Sequence, residues 1–293
     1  MRYAAHRLLT RPALKTAALW RVVAGLALAL GVTFGLVQGC LVVLRAALGG
    51  DAWLSLASDI ERGATPAGAL VTLALTGALG VGAIVAARLL HDRSALSLLG
   101  PPRRAARQAL RVLVAVFVVQ AAIAVLPPWD TYATLEPGRA FGPWLALLPL
   151  AALVLILQTG AEEVLFRGYL QSQLAARLRH PAVWLTVPSA IFAMAHWAPQ
   201  TYGDNAPLVV GWAFAFGVLA GDLTARAGSL GPAIALHFAN NLVAVTLSAP
   251  RGALDGLALY RLPFARDDPA LAGLMPLQLG ALSWLAARVA LRV

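Results

Sequence analysis

Two adjacent carboxylates, Glu162 and Glu163, follow a long apolar stretch of this chain. Arg167 comes four residues after Glu163, so on a helix these two side chains share a face in the orientation that favours an ion pair. Glu162 is rotated by about 100° from Glu163 and has no such partner. The spacing therefore predicts one carboxylate held by a cation and one left free. A free carboxylate away from bulk water is a candidate general base, which favours Glu162 over Glu163.

A histidine further along the chain is placed to reach Glu162. His196 and Glu162 lie at equal sequence distances on either side of Arg179, in a charged turn. In an antiparallel pair of helices joined at that turn, the two residues come to the same height. Hydropathy, however, puts Glu162 near the inner end of its apolar run and His196 near the outer end of its own. They can meet only if residues 167–180 project as a helical hairpin or if the spans are shifted from the apolar runs.

A third polar group occurs on a later helix, where His237 and Asn241 share one face at a spacing of four residues. Asn240 lies on the same side and competes with Asn241 for the same role. Taken singly, polar side chains in membrane helices are more often interhelical hydrogen-bond partners than catalysts. Chance seldom assembles a carboxylate, two imidazoles and an amide, so these residues are predicted to form one site.

The composition predicts the elements that position these residues. Of the 293 residues, 60% are hydrophobic and only 12% are charged, whereas soluble domains have about 45–50% apolar and about 25% charged residues. This excludes a soluble enzyme, a disordered chain and, despite the net charge of +10, a nucleic-acid-binding domain. The single cysteine, Cys40, excludes a disulfide framework and a cysteine-ligated metal site and is expected to be a buried, inert thiol.

Eight uncharged runs have about the length that a membrane-spanning helix needs. They cover residues 22–44, 69–87, 112–126, 143–161, 181–203, 205–221, 227–250 and 269–287. A bilayer has no water to satisfy backbone groups, and the runs lack the alternation of a barrel strand, so they are predicted to be helices. We predict an all-α membrane protein. It is a single polytopic domain over residues 1–293, a bundle of about eight transmembrane helices with an intramembrane active-site cavity.

The basic residues predict the orientation of this bundle. Most of the 23 Lys and Arg residues fall on the side that holds both chain termini, and the basic side of a membrane protein faces the cytoplasm. We therefore expect a multi-pass protein of the plasma membrane with both termini cytoplasmic. The bias towards Arg and Ala suggests a bacterial source.

The polar motifs resemble the three signature motifs of the CAAX-protease and bacteriocin-processing family, intramembrane proteases related to the endoprotease that trims prenylated CAAX proteins. The motifs are Glu162-Glu163-x-x-x-Arg167, Phe192-x-x-x-His196 and His237-x-x-x-Asn241. They occur in the family's order on the fourth, fifth and seventh spans. The resemblance covers roughly residues 109–250, the predicted catalytic core.

The resemblance implies an endopeptidase that hydrolyses peptide bonds of membrane-associated or lipidated substrates. Glu162, assisted by His196, would activate a water molecule. His237 and Asn241 would stabilise the oxyanion, and hydrogen-bond donors aimed at a developing charge suit that task. Glu163 and Arg167 would orient the fourth helix. The expected partners are the lipid bilayer and a membrane-associated peptide or protein, with no nucleic acid.

Two other functions fit the same residues. A non-catalytic bacteriocin-immunity or membrane scaffold protein of the same fold would not need Glu162. An ion-coupled transporter would use the Glu and His residues as a proton relay, although the sequence lacks the repeat that marks a transporter's symmetric halves.

No cofactor is required by the motifs, but a divalent metal such as zinc is an alternative. His196, His237 and Glu162 could bind zinc through nitrogen and oxygen, since catalytic zinc commonly has three protein ligands and a water. The arrangement of two histidines four apart on one helix with a glutamate between them is absent. Because a metal-bound Glu162 would be less available as a base, we favour a metal-independent mechanism, with any metal ligands unassigned.

Overall fold

The computed structural model describes residues 3–125, 134–252, 254–274 and 276–293. The end of the third apolar run, at Leu126, lies outside the described residues. So do Arg2 and Tyr132, which the predicted orientation places in the cytoplasm and on the opposite side of the membrane, respectively. The longer helices are numbered in chain order as follows: α1 (Leu19–Leu48), α2 (Gly50–Arg62), α3 (Pro66–His91), α4 (Pro102–Val125), α5 (Phe141–Arg177), α6 (Pro181–Met194), α7 (Ala206–Ala227), α8 (Gly231–Leu247) and α9 (Pro276–Leu291).

Three of these helices are irregular. Helix α3 is interrupted at Gly77, α5 has a π-helical segment over Val164–Gln171, and α8 ends in another over Val243–Leu247. Shorter helical segments connect the long ones, at Ala4–His6, Arg7–Thr10, Arg11–Thr16, Ala95–Leu99, Pro199–Tyr202, Gly203–Asn205, Asp255–Leu257 and Pro269–Leu274.

Each predicted apolar run contains a helix, and the prediction of a helical, multi-pass membrane protein is confirmed. Within the described residues, 5 helices are long and apolar enough to cross a membrane: α1, α3, α4, α5 and the segment Pro199–Ala227 that contains α7. Three further apolar helices are shorter, at Pro181–Met194, Gly231–Leu247 and Gly280–Leu291. The five long helices and three shorter ones of the described residues lie in the eight predicted runs, but the predicted count of eight membrane spans is not confirmed.

Helix α5 extends beyond the fourth apolar run. It continues through Glu162, Glu163 and Arg167 to Arg177, a length of 37 residues, and ends at the charged turn that the sequence placed between it and α6. At 1.5 Å per residue this is about 55 Å, longer than the roughly 30 Å hydrocarbon core. The charged residues do not end the helix because they are buried in it.

Three segments between the apolar runs, which we predict as loops, contain regular structure. Helix α2 lies between α1 and α3, and three short strands form a small sheet: β1 (Glu136–Pro137), β2 (Ser248–Arg251) and β3 (Tyr260–Ala265). The central strand β3 is antiparallel to β1 and parallel to β2, with Ser248 opposite Tyr260. Arg251 Nε donates to Glu136 Oε2 at 3.1 Å, and this hydrogen bond lowers the pKa of the Glu136 carboxyl.

Small residues let the helices approach closely, as is usual in membranes. On α3, Gly82 lies against the Ala29 carbonyl of α1, where an added Cβ would overlap the backbone. On α1, Gly25 leaves room for the Tyr169 hydroxyl of α5, which lies 2.8 Å from His91 Nε2. The thiol of Cys40 is exposed on α1 rather than buried as expected, because this stretch of the helix has few neighbours in the described fold.

Candidate active site

Glu163 is the most deeply buried group of the site. It is fully buried on α5, immediately before the π-helical segment that contains Arg167. Its Oε1 accepts a hydrogen bond from Arg167 Nη1 at 2.9 Å, so the ion pair expected from the spacing is present. The same oxygen accepts from His237 Nδ1, also at 2.9 Å. The carboxylate therefore joins α5 to α8 as well as neutralising Arg167.

Glu162 is also buried, at 8% exposure, but it is held differently. Its Oε2 lies 3.5 Å from His237 Nε2 and has no hydrogen-bond partner among the described residues. The two ring nitrogens of His237 thus face two different carboxylates. Oε2 of Glu163 also lacks a hydrogen-bond partner among the described residues, so the two carboxylates differ in that only Glu163 is paired with Arg167.

His237 has a defined tautomer and a defined setting. A carboxylate oxygen only accepts, so the hydrogen bond to Glu163 requires a proton on Nδ1. The Nε2 atom can donate a hydrogen bond only when the ring is doubly protonated. The ring packs against Phe216 at 4.8 Å and Phe192 at 6.0 Å between centroids, which keeps one side of the imidazole apolar.

His196 lies in the turn that follows α6. Its Nδ1 is 2.9 Å from the carbonyl oxygen of Phe192. A carbonyl only accepts, so Nδ1 carries the proton and Nε2 is left with its lone pair. Among the described residues no contact joins His196 to Glu162. The structure instead places His237 next to the glutamates.

The motif amide Asn241 is bonded to a residue that the sequence motifs do not include. Asn241 Nδ2 donates to Gln158 Oε1 at 3.0 Å. Gln158 is buried on α5, four residues before Glu162, and this bond is a second link between α5 and α8 beside the Glu163–His237 contact. Gln158 could have been found in the sequence as a glutamine inside an otherwise apolar run. A search restricted to charged residues, histidine and asparagine does not include it.

Asn240 is held by a second glutamine. Gln120 on α4 points its Nε2 at Asn240 Oδ1, at 3.3 Å, and at the Ala239 carbonyl oxygen, at 3.5 Å. Gln120 is likewise an uncharged polar residue within an apolar run. The two neighbouring asparagines are therefore tied to two different helices.

A cavity of about 240 Å³ lies on the side of His237 that faces the aromatic rings. Its lining brings together both motif histidines and both asparagines with a mainly apolar wall. The lining residues are Phe192, His196, Val209, Trp212, Ala213, Phe216, Leu219, His237, Asn240, Asn241 and Gly280. His237 is the residue that connects this cavity to the two buried carboxylates.

The donor arrangement does not fit the zinc site considered from the sequence. Within the described ranges no cluster of three or more His, Cys, Asp or Glu side chains has a metal-binding arrangement. Glu162 Oε2 lies 3.5 Å from His237 Nε2, but no hydrogen bond or ion pair of the described residues joins His196 to either of them. The three proposed ligands therefore do not form one metal site in the described part of the chain.

Comparison with known protein families identifies part of the chain. Residues 143–243 match the family model of the type II CAAX prenyl endopeptidases, described as Rce1-like. No curated protein and no solved structure matches the chain. The matched residues contain all three motifs, from α5 to α8, and they support a CAAX-type intramembrane protease function in general terms. The match over residues 143–243 supports the resemblance of the motifs to the CAAX-protease family.

Proposed function

We propose that this protein is an intramembrane endopeptidase that hydrolyses peptide bonds of membrane-associated or lipidated substrates. The observation that carries the proposal is the unequal state of two adjacent buried carboxylates. Glu163 Oε1 accepts hydrogen bonds from both Arg167 and His237, whereas neither oxygen of Glu162 accepts one in the described structure, although Oε2 of each glutamate lacks a partner there. A site that prepares one carboxylate for proton transfer and fixes its neighbour suits general base catalysis.

In the proposed reaction Glu162 takes a proton from a water molecule as the water oxygen bonds to the scissile carbonyl carbon. The resulting oxyanion is stabilised by the Asn241 amide and by His237 Nε2 when that ring is doubly protonated. Glu162 then returns the proton to the amide nitrogen as the C–N bond breaks. The products are a carboxylic acid and an amine, which become a carboxylate and an ammonium group when the acid proton passes to the amine, so the proton count balances without a further reactant.

His196 is proposed to assist Glu162 through water rather than by direct contact. Its Nδ1 proton is directed to the Phe192 carbonyl, so Nε2 is available to accept a hydrogen bond within the cavity. Glu163 and Arg167 are proposed as supporting residues that set the position of α5 and of the His237 ring.

The mechanism is proposed to be metal-independent. A carboxylate that acts as base cannot also be fully engaged as a metal ligand, and the three residues considered for zinc do not form one metal site among the described residues. We further propose that the protein resides in a bacterial plasma membrane with both termini in the cytoplasm, since most basic residues fall on that side.

The test is cleavage of a farnesylated, internally quenched peptide that ends in a CAAX sequence, alongside its non-prenylated counterpart, by purified protein in detergent or liposomes. We expect cleavage with a product whose mass identifies one hydrolysed bond, and activity that survives exhaustive chelation. Loss of activity on chelation with recovery on adding zinc would contradict the metal-independent mechanism. Absence of cleavage, together with proton-dependent uptake into vesicles, would contradict the protease proposal.

A further inference from the structure

The two adjacent asparagines of α8 both line the cavity, yet they present opposite atoms to their glutamine partners. Asn241 gives its nitrogen to Gln158, whereas Asn240 gives its oxygen to Gln120. The groups that each asparagine has left for a ligand therefore differ.

The orientation of Asn240 follows from a chain of donors and acceptors. Gln120 Nε2 lies 3.5 Å from the Ala239 carbonyl oxygen, which can only accept, so the nitrogen of Gln120 must face it. That nitrogen can only donate, so the Asn240 atom 3.3 Å away must be its oxygen. The Asn240 NH₂ group consequently points away from α4, with both N–H bonds available.

The surroundings of that NH₂ group leave it without an acceptor among the described residues. The cavity that Asn240 lines has a mainly apolar wall, which includes Phe192, Trp212 and Phe216. The half-buried NH₂ group can therefore donate to a ligand in the cavity that offers an acceptor. A peptide that enters the cavity offers acceptors in its backbone carbonyl oxygens, and its apolar side chains fit the aromatic wall.

We infer that Asn240, oriented by Gln120, binds a backbone carbonyl oxygen of the peptide substrate. This assignment rests on the proposed protease function and adds a substrate-binding amide next to the proposed oxyanion donor, Asn241. Asn240 contacts the substrate, and Gln120 on α4 is a positioning residue that acts through it. Asn240 therefore acts in substrate binding, whereas Asn241 acts in the transition state. A contact made equally in the bound substrate and the transition state changes KM and not kcat.

The variant that tests the assignment is Asn240→Asp. It keeps an oxygen for Gln120 but replaces the NH₂ group by an oxygen that repels a carbonyl. With the farnesylated quenched peptide, we expect KM to rise about tenfold, the effect of losing one hydrogen bond, with kcat within about twofold of the wild type. Asn241→Asp should instead lower kcat. A rise in KM without a change in kcat indicates a role in substrate binding. A purely structural role would instead lower the amount of active protein and therefore the apparent kcat.

Gln120→Met keeps the side-chain length but removes the amide that orients Asn240. It should raise KM in the same direction and leave kcat nearly unchanged. The matched control is Gln38→Met, a glutamine exposed on α1, which should leave both constants unchanged. Binding of the intact peptide to Glu162→Gln protein, followed by Trp212 fluorescence, measures the same contact without hydrolysis, and adding Asn240→Asp should weaken that binding about tenfold.

The possible results separate the two proposals. If the wild type cleaves the peptide and Asn240→Asp has the wild-type KM and wild-type binding, the Asn240 assignment is wrong while the protease function stands. If Asn240→Asp lowers kcat with KM unchanged, Asn240 acts on the transition state, which also overturns the assignment. A wild type that neither cleaves nor binds the peptide overturns the protease proposal and the Asn240 assignment with it.

Discussion

Removing the charge of Glu163 should lower the free energy of unfolding and not only the catalytic activity. In Glu163→Gln the amide oxygen can still accept from Arg167, but a guanidinium with 1% side-chain exposure loses its bonded counter-charge. Breaking a buried ion pair by changing one partner costs about 3–5 kcal/mol. Because the glutamine retains an acceptor, we expect a value near the lower end, about 3 kcal/mol. The second bond of the same oxygen, to His237 Nδ1, makes the loss extend to the α5–α8 contact.

The assay is thermal unfolding of the purified protein in a mild detergent. A loss of about 3 kcal/mol corresponds to a decrease in Tm of roughly 6–12 °C for a chain of this size class. Glu61→Gln is the matched control, because Glu61 is exposed on α2 and its substitution should leave Tm unchanged. The double variant Glu163→Gln with Arg167→Met removes both charges, and we expect it to be less destabilised than the sum of the two single variants.

The result that would refute this reasoning is a Glu163→Gln protein with wild-type Tm and no proteolytic activity. Together with full activity in Glu162→Gln, it would mean that the roles of the two glutamates are reversed. An additive double variant would show that Glu163 and Arg167 do not stabilise the fold as a pair.

Three further predictions concern the scaffold. Burial against Trp184 lowers the pKa of His6 to about 4, so below about pH 6.5 the folded state binds fewer protons than the unfolded state. The free energy of unfolding should therefore fall by about 2 kcal/mol between pH 7 and pH 5. Unfolding of His6→Phe protein at both pH values tests this, and a pH dependence equal to that of the wild type would refute the prediction. Gly25→Ala should cost about 1–3 kcal/mol, because the added Cβ overlaps the Tyr169 hydroxyl, whereas Gly31→Ala, whose Cβ would have open space, should not change Tm. In a Cys40→Ser background, cysteine at Arg292 should react with an impermeant reagent only from the cytoplasmic side, and cysteine at the exposed Asp51 only from the other side. Labelling of residue 292 in intact cells would contradict the orientation.

The helical architecture could be predicted because apolar runs leave the backbone no alternative in a bilayer. The ion pair of Glu163 with Arg167 could be predicted as well, since it depends only on helical spacing. The burial of Glu163 could not be predicted. Its contact with His237 depends on a helix 74 residues further along the chain, which hydropathy does not show.

The parts of the site that the sequence did not reveal are contacts between distant segments. The position of His237 between two carboxylates depends on how α8 crosses α5. Gln158 and Gln120 were missed because an uncharged amide adds little to a hydropathy profile, although each orients an asparagine of the site. The small sheet pairs strands of two to six residues, too short to show a pattern.

The central claim is that Glu162 is the base that activates water. The measurement that tests it is the rate of cleavage of the farnesylated quenched peptide by Glu162→Gln protein whose Tm and membrane insertion match those of the wild type. Glutamine keeps the size and hydrogen bonding of glutamate but cannot take the proton, and general base catalysis contributes typically about 100- to 10,000-fold. We predict a loss of kcat in that range with peptide binding retained. Full activity in folded Glu162→Gln protein would contradict the account.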